Sequence, residues 1–337
     1  MSRSNTTISI LAALFAGLAW LPTSAAQSPP HIAEIDRVRL REAVRLADQL
    51  GDTVWPNWSG APFAIMLVTP ESEFLIRQPN PSPDFTLVAG DTLLGGSVFY
   101  RKRVFNTGMQ ATFPAVNGVN TIVIGRAELT SDKASTRWVL TVLHEHFHQL
   151  VYSRPGYYDE VAKLDLAHGD NTGMWMLNFP FPYDSVRVQE KFSAMTHALL
   201  DALGQGDGAE FNQKVAAFRR ARNEFRNALP AEAERYFEFQ LWQEGVARYT
   251  ELRIGDMAST HYTASAEYTA LADYSSPSSV SDAMRGRIMG DLGSLSLAKS
   301  RREVVYSVGA AEALLLDRVK PKWKEDYFRR PFRLPEP

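Results

Sequence analysis

Between Trp138 and Leu150 the chain reads Trp-Val-Leu-Thr-Val-Leu-His144-Glu145-His146-Phe147-His148-Gln-Leu, and no other stretch restricts its folding so tightly. Residues four apart stack on one face of a helix, so His144 and His148 can bring two imidazole nitrogens to one tetrahedral cation. Glu145 lies about 100° round the same helix, within reach of a water in an open coordination position. Val139, Leu143, Phe147 and Leu150 line one flank, with Trp138 and Val142 behind, so the helix is expected to be buried on its other sides. His146 projects almost opposite the His144–His148 stripe and reads as a packed histidine, not a ligand.

Two histidines and a water leave tetrahedral zinc one ligand short. The chain has no cysteine, which excludes both a thiolate ligand and a disulfide framework. No G-x-x-H continuation follows His148, since the next residues are Gln-Leu-Val-Tyr-Ser-Arg-Pro. The next candidate donor is Glu244, in Leu241-Trp-Gln-Glu244-Gly245-Val-Ala247-Arg-Tyr-Thr-Glu251. Gly245 and Ala247 are small, and are expected to let this second helix come close to the first. Glu251, two turns on, reads equally as a residue behind the ligands or as an exposed charge.

The segment Trp242-x-Glu-Gly-x-Ala-x-Tyr-x-Glu251 resembles the third-ligand helix of aminopeptidase-N-type gluzincins, where W-x-N-E-G-x-A-x-Y-x-E is usual. The resemblance implies one zinc ion held by His144, His148 and Glu244 in an HExxH…E site. It also implies a zincin-like α+β fold: a small mixed or antiparallel sheet, then a mainly helical lobe carrying both ligand helices. Tyr306-Ser-Val-Gly309-Ala310 is similar to the Y-x-K-G-A segment of the same family, with Val308 in place of the lysine. By that likeness the Tyr306 hydroxyl stabilises the oxyanion; His261 is the alternative donor, as a histidine is in thermolysin-like enzymes. His168 and His197 read as surface or packing residues that could also border the cleft. The resemblance covers about a quarter of the chain. Here 96 residues separate His148 from Glu244, far more than in that family, so a long insertion with two expected helices shapes the cleft. No G-x-M-E-N segment occurs, so aminopeptidase specificity is not implied. Asn117-Gly-Val-Asn-Thr-Ile-Val-Ile124 is the stretch closest to an edge strand for the cleft.

Around these motifs, residues 1–26 read as a signal peptide: Arg3 makes a cationic start, Ile8 to Leu21 is apolar but short for a bilayer, and Ser24-Ala-Ala26 suits a signal peptidase. The mature chain is therefore expected to be exported, periplasmic or secreted, without stable membrane insertion. Residues 27–130 are expected to form an N-terminal helix, about 32–50 with Gly51 as its stop, and a sheet. The β-type runs are 63–68, 73–77, 85–88, 97–100 and 121–124. Residues 131–337 are expected to be a helical catalytic part, packed with the first as one unit, with helices near 133–151, 186–204, 208–228, 231–255 and 306–319. Segments 152–185 and 257–300 read as irregular. Formal charge is −2 and the basic doublets are scattered, which makes nucleic acid a poor partner.

The chemistry expected is zinc-dependent hydrolysis of a peptide or protein substrate, with Glu145 as general base and Tyr306 at the oxyanion. Two other readings fit the same residues. One is a zinc-stabilised protein that binds a polypeptide or glycan without cleaving it, and the other a zinc hydrolase of a non-peptide amide or ester.

Overall fold

The computed structural model describes residues 30–337; the expected signal peptide lies outside them. The first long helix, α1 (Glu34–Val54), runs through Gly51 for another turn, because Gly51 packs against the Trp58 ring. Six strands follow: β1 (Ile65–Val68), β2 (Ser72–Ile76), β3 (Thr86–Leu93), β4 (Gly96–Lys102), β5 (Gln110–Val116) and β6 (Val119–Gly125). Their order in the sheet is β3-β4-β2-β1-β6-β5. The β1–β6 pair is parallel and every other neighbouring pair antiparallel, so the sheet is mixed and the fold α+β.

Alternation along the strands sends Ile65, Leu67, Phe74, Ile76, Ile122 and Ile124 to one face and Met66, Val68, Leu75 and Val123 to the other. The first face joins a core that continues through the helices as far as Leu334. The second carries Phe99 of β4 and Phe113 of β5 and is joined by Phe85 and Phe105 from the connections. Asn117–Ile124 is not the sheet's edge: β6 lies between β1 and β5, and β5, a strand without a strong apolar run, is the outer one. Pro114 fits an edge position, where a missing N–H costs no ladder bond.

The helices after the sheet are α2 (Ser135–Tyr152), α3 (Tyr157–Ala162), α4 (Trp175–Asn178), α5 (Val186–Gly204) and α6 (Ala209–Ala228). Next come α7 (Ala231–Gln240), one π-helical turn (Leu241–Gly245) and α8 (Val246–His261), which form one continuous rod. Then follow α9 (Ala266–Thr269), α10 (Pro277–Ser294), α11 (Leu297–Ser300), α12 (Val304–Val319) and α13 (Trp323–Tyr327). The segment 257–300 is thus largely helical. Ser276 caps α10, its hydroxyl accepting from the Ser279 N–H, and Pro277 opens the first turn.

Two buried arginines tie these elements together. Arg39 of α1 bonds Ser135 at the start of α2, together with Asp36, Glu128 and Asp273. Arg222 of α6 bonds Glu238 of α7 and Glu312 of α12. Among the described residues no helix is long and apolar enough to cross a membrane.

Candidate metal centre

Helix α2 is buried along nearly its whole length, against α1, α8 and β6, so its ligands have little freedom to turn. His146 shows the non-metal side of the helix. Its ring stacks on Phe63 (centroids 3.8 Å apart) and Trp58 (5.4 Å), and its Nδ1 pairs with Gln149. Burial pushes its pKa down to about 3, so it remains a neutral packed ring.

On the other face, His144 Nε2 and His148 Nε2 are 3.2 Å apart. Glu244 Oε2 lies 3.6 Å from the first and 3.5 Å from the second. Tetrahedral zinc with bonds of 2.0–2.2 Å separates its ligand atoms by about 3.3–3.6 Å, so the three atoms already stand at the edges such an ion requires. These side chains lie close enough to hold a metal ion.

The charges around them favour a cation at this point. Burial opposes the ionised Glu244, but Arg302, His148 and His144 outweigh it and hold the carboxyl well below its ordinary range. Burial likewise opposes a charged His144, and is outweighed by Glu244, Glu251 and Glu145, which raise its pKa to about 9.

Glu244 reaches the histidines from the π-helical turn. That turn closes its hydrogen bonds one residue later than an α-helix does, which re-aims the side chains it carries. The residues around Glu244 each have a packing reason. Trp242 stacks on Tyr327 (4.6 Å, 12°) and its Nε1 donates to the Tyr327 carbonyl. Tyr249 donates its hydroxyl to Asp317 at 2.7 Å.

Gly245 does not face α2, as its small size had suggested; it crosses α12 at Gly309. A Cβ on Gly245 would lie 2.4 Å from Gly309 Cα and 2.9 Å from the Val305 carbonyl oxygen. No side chain larger than hydrogen fits at that crossing.

Glu251 is fully buried. Its Oε1 accepts from His144 Nδ1 at 2.6 Å, and its Oε2 takes Arg137 at 2.5 Å and Arg248 at 2.8 Å. The two guanidiniums and His144 more than offset the effect of burial and keep the carboxyl ionised far below its usual range. With Nδ1–H given to Glu251, Nε2 is the nitrogen left to face the centre, and a metal bound there would replace the Nε2 proton.

Glu145 is 5 % exposed, and Thr112 of the edge strand donates its hydroxyl either to the Glu145 carboxylate (Oε2, 2.9 Å) or to its carbonyl (2.9 Å). Tyr306, in the first turn of α12, sets its ring 6.2 Å from that of His144. Its phenol is driven above its ordinary pKa by burial and by Glu244, against the pull of Arg302, so it remains a protonated donor.

His261 is not in this group. It closes α8 as an exposed residue, about 25 Å along the helix axis from Glu244 at 1.5 Å per residue. His168 and His197 are also exposed, beside Glu232 and on the Ser193 carbonyl respectively.

Three residues that sequence reading missed stand beside the ligands. Tyr152 stacks on His148 (5.4 Å, 20°) from the C-terminal end of α2; its spacing of four from His148 was the available signal. Arg302 contacts both Glu244 and Tyr306, again from four residues before the tyrosine. Thr112 carried no signal, since β5 itself was not expected. A cleft of about 810 Å³, lined by Asp132, Arg137, Arg248, Met284, Ile288 and Tyr306 among others, reaches this group at Tyr306 and at the two arginines behind Glu251; His144, Glu145, His148 and Glu244 do not line it.

No family model, curated protein or solved structure matches the chain.

Proposed function

We propose that this chain is an exported zinc-dependent hydrolase of the gluzincin type and that its substrate is a peptide bond. The reading rests above all on one observation: His144 Nε2, His148 Nε2 and Glu244 Oε2 stand 3.2–3.6 Å from one another, with Glu145 adjacent on the same helix. Zinc held by these three atoms would polarise a carbonyl and lower the pKa of a bound water.

The remaining work falls to the chain's own groups. Glu145 accepts a proton from the attacking water and returns it to the leaving nitrogen. Thr112, when its hydroxyl bonds the carboxylate and not the carbonyl, restrains the Glu145 side chain. Tyr306 donates its hydroxyl to the oxygen that gains negative charge. Glu251 holds His144 in the tautomer that a metal ligand needs. Strand β5 ends the sheet beside Glu145, and the unpaired backbone groups of an edge strand suit an extended peptide. That last feature favours a polypeptide over a small amide or ester. Export rests on residues 1–26 alone.

The test is hydrolysis of a peptide library by the zinc-loaded protein and by its Glu145→Gln variant. Loss of general-base catalysis should lower turnover by about 10²–10⁴-fold, with zinc content unchanged. Turnover near that of the unaltered protein in the variant would end the proposal. Zinc binding without cleavage of any peptide would favour the non-catalytic binding protein.

A further inference from the structure

We infer that Arg302 is a positioning residue that sets both the zinc-ligating carboxylate and the oxyanion donor, an inference that rests on the hydrolase reading above. Arg302 occupies the short 3₁₀ turn Arg301–Glu303 ahead of α12, and its side chain is only 12 % exposed. One guanidinium makes three separate polar contacts. Nε donates to Gln240 Oε1 at 3.1 Å and Nη1 to the Tyr306 hydroxyl oxygen at 3.1 Å, while Nη2 forms an ion pair with Glu244 Oε1 at 3.0 Å.

The two oxygens of Glu244 are thereby divided. Oε2 faces both histidines, while Oε1 is paired with Arg302 and also accepts from the Gln243 amide at 3.4 Å. The carboxylate can then offer a cation one oxygen, in one orientation. The consequence for Tyr306 follows from donor inventory. Arginine has no acceptor, so the phenol oxygen must accept from Nη1, and its own proton is left to donate elsewhere. The Tyr306 ring is also flanked by Arg302 and Arg248, each with its guanidinium carbon 5.4 Å from the ring centroid. A lysine cannot reproduce this arrangement, because its point charge lacks the planar fork that reaches three acceptors at fixed angles.

The other charged groups near Arg302 do not change this assignment. Glu303 is exposed and 3.9 Å away. Arg301, whose side chain turns outward to Asp184, adopts φ 46°, a backbone conformation rarely adopted outside glycine, asparagine and aspartate.

The experiment compares Arg302→Gln and Arg302→Lys, each alone and combined with Tyr306→Phe. Zinc affinity is read by competition with a chromogenic chelator, and kcat and KM on a peptide substrate at saturating zinc. Arg302→Gln is expected to weaken zinc binding about 10–100-fold, the usual loss when a group behind a ligand is removed. It should also lower kcat while leaving KM nearly unchanged. Arg302→Lys should recover part of the zinc affinity but little of the kcat. In the Tyr306→Phe background the change at 302 should cost no further kcat. Unchanged zinc affinity in both variants, or kcat losses that multiply independently with Tyr306→Phe, would overturn the assignment. Circular dichroism melts separate either result from unfolding, and Arg302→Lys serves if Arg302→Gln does not fold. If the unaltered protein binds zinc but cleaves no peptide, the hydrolase reading fails, while the chelator competition still decides whether Arg302 sets Glu244.

Discussion

Glu251 Oε1 and His144 Nδ1 are 2.6 Å apart in a fully buried contact, and the other oxygen of that glutamate carries two arginines. The histidine that would bind metal is therefore oriented from behind by an ionised carboxylate which is itself fully paired. Replacing Glu251 with glutamine keeps the volume but removes the charge, and leaves Arg137 and Arg248 short of their common partner. Zinc affinity is expected to fall about 10–100-fold. A chelator competition giving the affinity of the unaltered protein would show that the contact does not tune the ligand.

The crossing of Gly245 and Gly309 allows no added atom. Gly245→Ala places a methyl 2.4 Å from Gly309 Cα, against backbone that cannot swing aside. Destabilisation of about 3 kcal/mol, at the upper end for overpacking, is expected. Gly309→Ala should cost a similar amount, and the pair less than their sum, since the first substitution already forces the helices apart. Thermal melts of the three variants decide this; a melting temperature unchanged in Gly245→Ala would refute it.

Two tyrosines flank the ligands, Tyr306 beside His144 and Tyr152 on His148. If Tyr306 stabilises the oxyanion, Tyr306→Phe should lower kcat by about 10²–10³-fold, while Tyr152→Phe changes it by less than about tenfold. The reverse order of effects would transfer the role to Tyr152.

Lys324 lies among the rings of Trp55, Tyr249 and Trp323, with Nζ donating to the Val54 carbonyl at 3.1 Å. Burial pushes its pKa down to about 8 from 10.5, and the opposing charge of Asp317 does not make up the difference. Between those two values the unfolded chain holds more protons at this site than the folded one, so its contribution to stability rises with pH. Below about pH 8 the folded protein bears the full cost of a buried ammonium. Measured against Lys324→Met, the unaltered protein should gain stability from pH 8 to about 10.5. Denaturant midpoints of the two that run parallel across this range would contradict the assignment.

Much of the centre was readable because its chemistry lies in spacing. Two histidines four apart share one face of a helix, which is the face they share here, and α2 formed within two residues of its expected bounds. Glu251 could not be settled in the same way. A glutamate two turns beyond a ligand looks alike in sequence whether it is solvated or buried, and it is the approach of Arg137 and His144 from α2, together with Arg248, that offsets its burial. Strand β5 was missed because Gln110-Ala-Thr-Phe-Pro-Ala-Val116 contains a proline and only weak alternation, which an edge strand tolerates and an inner strand does not. Helix α10 reads as irregular chain because of the Ser-rich stretch Ser275 to Ser281, yet within that stretch Ser276 and Pro277 are the cap and first turn of the helix. Thr112 and Arg302 act through proximity created by the fold, and no local pattern announces it.

The absence of any side chain at the Gly245–Gly309 crossing of the π-helical turn and α12 has a mechanical consequence. Without intervening atoms to slip or compress, the rod bearing Glu244 and the helix bearing Tyr306 behave as one casting, and Arg302 is fixed to the same piece. Hinge bending there would open a gap in the main-chain contact, so the two elements move together. On warming, such a centre should come apart in step with cooperative melting of the lobe, without an earlier softened stage.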